Sequence, residues 1–173
     1  MQKVNEQLVH QRPIEPKDHS LIYNSLLRSF EAHGIASYRA DKDSFFGCYK
    51  KEVEKFLNRC YGICAVNPGD HDQIYAYILF EHTNFFQGIY PHRPAPILHY
   101  VYVKAAFRNM GFASWLIDSM LSACKATGNE KLGPIIITHL TEHFDAYLQP
   151  KGRFTYNPYL LGELHGSSET ATD

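Results

Sequence analysis

Arg108, Gly111 and Ala113 form an Arg-x-x-Gly-x-Ala run between an extended-looking apolar segment and an amphipathic one. That placement suits the binding of a phosphate group. The first turn of a helix leaves backbone N–H groups without intrahelical partners, and the positive end of the helix dipole favours an anion there. Gly111 removes a side chain where a pyrophosphate must approach the backbone, and Ala113 keeps the next contact small. Arg108 adds a fixed cation. A dinucleotide site of the G-x-G-x-x-G kind fits worse, because that pattern and its βαβ unit are missing.

The apolar segment before the turn offers a second group. Alternation along a strand puts Ile97, His99, Val101 and Val103 on one face. An imidazole with an ordinary pKa of about 6.5 can accept a proton at neutral pH. A strand histidine satisfied by a backbone carbonyl is the competing account. Glu81, at the end of an earlier strand, is a weaker base, or simply a solvated strand end. Cys60 and Cys64 are too loosely spaced for a zinc site, and His139 and His143 lack the H-E-x-x-H pattern. No metal is expected. Of the four cysteines, Cys48, Cys60, Cys64 and Cys124, none belongs to a C-x-x-C pair. Cys64 in an apolar strand and Cys124 on an apolar helical stripe read as packing residues, not nucleophiles.

Several elements must hold these groups. Residues 8–14 predict a strand, and Asp18 caps a helix with Leu21, Ile22, Ser25, Leu26 and Phe30 on one face. A second helical pattern carries Phe45, Phe46, Tyr49, Val53, Phe56 and Leu57. Residues 61–66 predict a strand closed by the turn Asn67-Pro68-Gly69-Asp70; residues 74–80 and 97–103 predict two more. Residues 110–125 form the clearest helix, with Ala113, Leu116, Ile117, Met120, Leu121 and Cys124 as its apolar stripe. Residues 135–138, an unbroken apolar run, read as a strand buried on both faces. A short helix over 142–148 and a strand over 154–161 complete the order β-α-α-β-β-β-α-β-α-β. The fold class is mixed α/β.

The length of 173 residues suits one domain, expected over residues 1–164 with a polar, disordered tail over 165–173. A formal net charge of −1 gives no general attraction to nucleic acid or an anionic membrane. No apolar run approaches the roughly 20 residues of a membrane span, and the first residues lack the apolar core of a secretory signal. A cytoplasmic location and a monomer or homodimer are the expectation.

The stretch from Val103 through Phe107-Arg108 to Gly111 and Ala113 resembles motif A of the GNAT N-acetyltransferases. Their pyrophosphate loop reads Gln/Arg-x-x-Gly-x-Gly/Ala after a V-x-x-x-[YF]-R run. The order of elements is similar over roughly residues 8–160. The resemblance implies a central mixed, largely antiparallel sheet flanked by helices, with the fourth and fifth strands splayed to admit the pantetheine arm of acetyl-CoA. That arm would pair with backbone around Val101, Tyr102 and Val103. The pyrophosphate would rest at Arg108, Asn109, Met110, Gly111, Phe112, Ala113 and Ser114. Serotonin N-acetyltransferase shares V-x-x-A-F-R and has a histidine where His99 stands, which implies that His99 takes the amine's proton directly or through water. The family's acid is often a tyrosine after the fifth strand, here Tyr147 with Tyr156 in reserve, although the usual Gly-Phe spacing is not reproduced. The frequent asparagine near the end of strand five is replaced by Thr138, His139 and Thr141.

The resemblance thus implies transfer of an acetyl group from acetyl-CoA to a primary amine through a ternary complex. The acceptor is a small molecule, a peptide terminus or a lysine. The aromatic, mildly basic loop over residues 84–96, with Phe85, Phe86, Tyr90, His92 and Arg93, is expected to flank it. The alternative is a catalytically weak or inactive CoA-binding or regulatory module on the same fold.

Overall fold

The computed structural model describes residues 4, 8–32, 47, 50, 51, 53, 54, 57–83, 95–126, 132–139 and 154–157. Its strands are β1 (His10–Pro13), β2 (Tyr61–Asn67), β3 (Asp70–Thr83), β4 (Ala95–Val103), β5 (Ile135–Ile137) and β6 (Phe154–Tyr156). The helices are α1 (His19–Ala32) and α2 (Phe112–Ala126), with short 3-10 turns at Pro16–Asp18 and Ala105–Phe107. Helical residues also occur between 47 and 59, where the second helical pattern was expected. The expected helix over 142–148 lies outside the described residues.

The six strands form one sheet in the order β1-β2-β3-β4-β5-β6. β1 runs antiparallel to β2, whereas β4 with β5 and β5 with β6 are parallel. The mixed α/β class expected from the sequence is the class observed. β3 is twice as long as the apolar pattern suggests, because it starts at Asp70 directly after the turn. Its first four residues, Asp70, His71, Asp72 and Gln73, are exposed and polar, so no hydrophobic alternation marks them. The turn itself is built as its residue types predict: the Asn67 carboxamide accepts the Gly69 N–H at 2.9 Å.

Two compact units divide the chain, one drawn from residues 1–79 and 101–120, the other from 80–100 and 121–173. In the first, Ile63, Cys64, Ala65 and Val66 of β2 are all buried, so both faces of that strand are covered. Ile22, Leu26 and Leu27 of α1 and Leu116, Ile117 and Met120 of α2 supply the helical stripes. Within the α1 stripe Ser25 meets the Tyr77 hydroxyl at 2.5 Å, so the buried phenol of β3 has a polar partner. In the second unit, Ala95 and Ile97 of β4 cluster with Ile136. Ile135, Ile136 and Ile137 are buried, as the unbroken apolar run predicts.

A buried ion pair closes the corner between β1 and α1. Arg12 donates from Nη1 to Asp18 Oδ2 at 2.6 Å and from Nη2 to Oδ1 at 2.9 Å. It donates further to the carbonyls of Pro13 and His71. Asp18 directly precedes α1 as expected, yet its carboxylate faces back, accepting the Glu15 N–H at 2.8 Å. Burial alone would raise the Asp18 carboxyl, but the hydrogen bonds from Arg12 and Glu15 hold it below its ordinary value. Removing one partner from such a pair leaves the other charge uncompensated. Asp18→Asn is therefore expected to destabilise the fold by about 3 kcal/mol or more near neutral pH, read by denaturant unfolding. Because the native carboxyl titrates below the unfolded one, the wild-type advantage is complete above the unfolded value of 3.8. It fades as pH falls through the native value.

Candidate functional site

Two constructions carry the chemistry, one in each unit. In the first unit, β4 ends at Val103 and the chain turns through Ala105–Phe107 into α2. The turn is pinned from both sides. Lys104 donates its N–H to the Tyr75 carbonyl at 2.9 Å. The ring of Phe107 lies 4.3 Å from Tyr75, and Phe112 packs edge-on against both at 6.0 Å. Phe107 and Phe112 thus act as anchors that fix the backbone between them. Tyr102 stacks on Tyr77 at 5.4 Å, which orients the end of β4 in the same way.

Between the anchors the backbone takes two left-handed steps, Asn109 at φ 64° and Gly111 at φ 88°. Asparagine tolerates that region and glycine adopts it freely. Trp115 makes the first i to i−4 bond of α2, to the Gly111 carbonyl at 3.0 Å. The amides of Phe112, Ala113 and Ser114 precede that bond. Arg108 and Met110 are exposed, and Arg108 Nε donates to the Val103 carbonyl at 3.3 Å. That bond ties the exposed cation to the end of β4. Val101, Tyr102 and Val103 are half-buried.

The second unit holds His99. The parallel ladder of β4 and β5 pairs Ile97 with Ile136 and Leu98 with Ile137, and then the Thr138 N–H donates to the Leu98 carbonyl at 3.2 Å. At that point the His99 ring stands between two polar side chains. Nδ1 lies 2.8 Å from the Thr138 hydroxyl, and Nε2 lies 3.2 Å from Glu81 Oε1. All three are buried, His99 to 2% exposure, Thr138 to 3% and Glu81 to 7%. A carboxylate, an imidazole and a hydroxyl in series can hold or move a proton. The sequence reading singled out His99 and Glu81 separately and did not join them, and it read Thr138 as a residue in place of the family's asparagine. The available signal was that each of the three follows an apolar run of its strand.

The other expectations divide. Tyr147, His143, Cys48, residues 84–94 and the expected tail over 165–173 lie outside the described residues. Tyr156 is on β6 and half exposed, at 51%. His139 is half-buried with its ring 5.7 Å from that of Tyr100.

No family model matches the chain, and no curated protein sequence matches it. Solved structures do. An aminoglycoside N-acetyltransferase in complex with CoA superposes with a TM-score of 0.53 at 13% identity, over 80% of this chain and 82% of its own. The ribosomal-protein-alanine N-acetyltransferase of Brucella melitensis biovar Abortus 2308 gives 0.53 at 15% identity, over 83% and 90%. The fold is that of the GNAT acetyltransferases. A transcriptional regulator from Bacillus halodurans C-125 gives 0.54 at 20% identity, over 80% and 87%, so the same fold also carries that description. Among the described residues no helix is long and apolar enough to cross a membrane.

Within this GNAT fold the thiols are poor nucleophiles. Burial pushes Cys64 up to about 12 and Cys124 up to about 11. Iodoacetamide at pH 8 is expected to leave both unmodified in the native protein and to label both in denaturant, as read by peptide mass mapping. Rapid native labelling of either would show an activated thiol.

Proposed function

We propose that this protein transfers an acetyl group from acetyl-CoA to a primary amine within a ternary complex. The observation that carries the reading is the pinned turn. Two left-handed residues, an exposed arginine and the first turn of α2 come together at one end of a helix, where an anion is favoured. CoA carries such an anion, and the aminoglycoside N-acetyltransferase of the same fold was solved with CoA. In this reading Arg108, Asn109, Met110, Gly111, Phe112, Ala113 and Ser114 hold the pyrophosphate. The pantetheine arm lies along Val101, Tyr102 and Val103. CoA supplies the activated acetyl group when bound.

The remaining work belongs to side chains. An attacking amine must lose a proton and the leaving thiolate must gain one. His99 is the base in this reading, and a tyrosine, Tyr147 or Tyr156, is the acid. The burial of Cys64 and Cys124 supports direct transfer over an acetyl-cysteine route. The acceptor is a small amine, a peptide terminus or a lysine.

A second reading has its own support. The Bacillus halodurans transcriptional regulator of this fold favours a module that binds CoA, or a partner, without turnover. The assay that separates the two is thiol release from acetyl-CoA in the presence of a panel of amines. Release that depends on amine supports the enzyme, and CoA binding without release supports the module.

Two variants test the assignments within the leading reading. Gly111→Glu places a side chain and a negative charge at the proposed pyrophosphate position, and calorimetry should show CoA binding lost. Because φ 88° strains any L side chain there, the exposed Arg108→Ala is the companion, expected to weaken CoA about tenfold with the fold unchanged by circular dichroism. Unchanged affinity in both would remove the cofactor assignment. His99→Gln should lower the acetylation rate by roughly 10²–10⁴ near neutral pH, with CoA affinity held. That loss should shrink as pH rises and more of the acceptor amine is already neutral.

A further inference from the structure

His99 and Thr138 are both almost wholly buried, so a proton reaches the ring only through a group in contact with it. The geometry supplies one. The two ring nitrogens face different groups, a carboxylate at Nε2 and a hydroxyl at Nδ1. The Glu81 carboxylate oxygen, 3.2 Å from Nε2, favours the tautomer with its proton on that nitrogen by charge attraction. In the neutral ring this leaves Nδ1 as the nitrogen with a lone pair, and the group 2.8 Å from Nδ1 is the hydroxyl of Thr138. A hydroxyl has one proton to give and two lone pairs to receive with. It can therefore donate to Nδ1 and accept from elsewhere at the same time.

We propose that Glu81 fixes His99 with Nδ1 as its basic nitrogen, and that the Thr138 hydroxyl relays the acceptor amine's proton to that nitrogen. The step balances without any further reactant. As the amine nitrogen bonds to the acetyl carbon, its N–H proton passes to Thr138 Oγ. The proton already on Oγ passes to Nδ1, and the C–S electron pair leaves with the CoA sulfur. The ring becomes imidazolium beside the Glu81 carboxylate, which offsets the charge that forms. Glu81 is a positioning residue in this scheme and Thr138 a catalytic one.

The backbone supports the assignment to Thr138. Its N–H is held by the Leu98 carbonyl at 3.2 Å, directly before His99 in the neighbouring strand. The hydroxyl is thereby set beside the ring by a main-chain bond and not by a flexible loop. Isoleucine occupies the three preceding positions, so the first polar side chain of this segment is the one at Nδ1.

This proposal rests on the acetyltransferase reading, and one measurement tests it apart from activity. In ¹⁵N-labelled protein, at a pH where the ring is neutral, the His99 ring nitrogens report the tautomer by NMR. The expected result is a proton on Nε2 and a lone pair on Nδ1. In steady-state kinetics, Thr138→Val, which keeps the shape and removes the hydroxyl, should lower kcat by about 10² or more, with KM for acetyl-CoA unchanged. Thr138→Ser should keep most of the rate. Glu81→Gln should lower kcat in the same KM-neutral way.

A neutral ring carrying its proton on Nδ1 would overturn the proposal, as would Thr138→Val at the wild-type kcat. If Thr138→Val fails to fold, a Thr138→Ser variant that folds but has lost its rate would also count against it, because a serine hydroxyl can serve the same relay. A wild-type protein that acetylates no amine would overturn the activity and the relay with it. The ring nitrogens would still say whether Glu81 fixes the tautomer.

Discussion

A backbone polar group inside a protein must find a partner, and β4 makes that rule the central constraint of this fold. β4 runs for nine residues, whereas β5, its neighbour on one side, runs for three. The ladder between them ends at Leu98 and Thr138. Among the described residues, nothing of β5 accompanies Val101, Tyr102 and Val103. The pantetheine arm of CoA contains two amides that can pair with strand backbone. In the proposed function the ligand completes the sheet, so the lengths of two strands decide where the cofactor lies.

The same mismatch concentrates polar side chains. Where the ladder stops, Glu81, His99 and Thr138 gather, all three buried. Burying such groups is unfavourable unless they find partners; Nδ1 has the Thr138 hydroxyl at 2.8 Å, and Nε2 has the charge of Glu81 at 3.2 Å. A group of three in series suggests use.

Local features were legible in the sequence and distant ones were not. The path from β4 through the turn to α2 is written in consecutive residues: alternation, Gly111, then a helical stripe, each a short-range signal. The Asn67 turn and the buried isoleucines of β5 are likewise set by neighbours in the chain. The contact of His99 with Thr138 spans 39 residues, and no periodicity encodes it. The Arg12–Asp18 pair spans only six, yet it was also missed, because Asp18 was read as capping forward onto α1. A side chain beside a helix start has two ways to turn, and a buried guanidinium decided between them. The polar first arm of β3 escaped for the opposite reason: an exposed strand needs no apolar residues, so its composition resembles a loop.

β1 forms one border of the sheet, and its make-up bears on how copies of the chain behave in a crowded solution. It has four residues, and it ends in Pro13, which offers no N–H to an incoming strand. Arg12 turns its guanidinium inward to Asp18 and away from solvent. His10 stacks on His71 at 4.7 Å, which occupies the face of the strand at its other end. A border this short, terminated by proline and held from behind, is a poor template for adding a further strand. The corner that anchors the first helix therefore also shields the sheet from growing outward into aggregates.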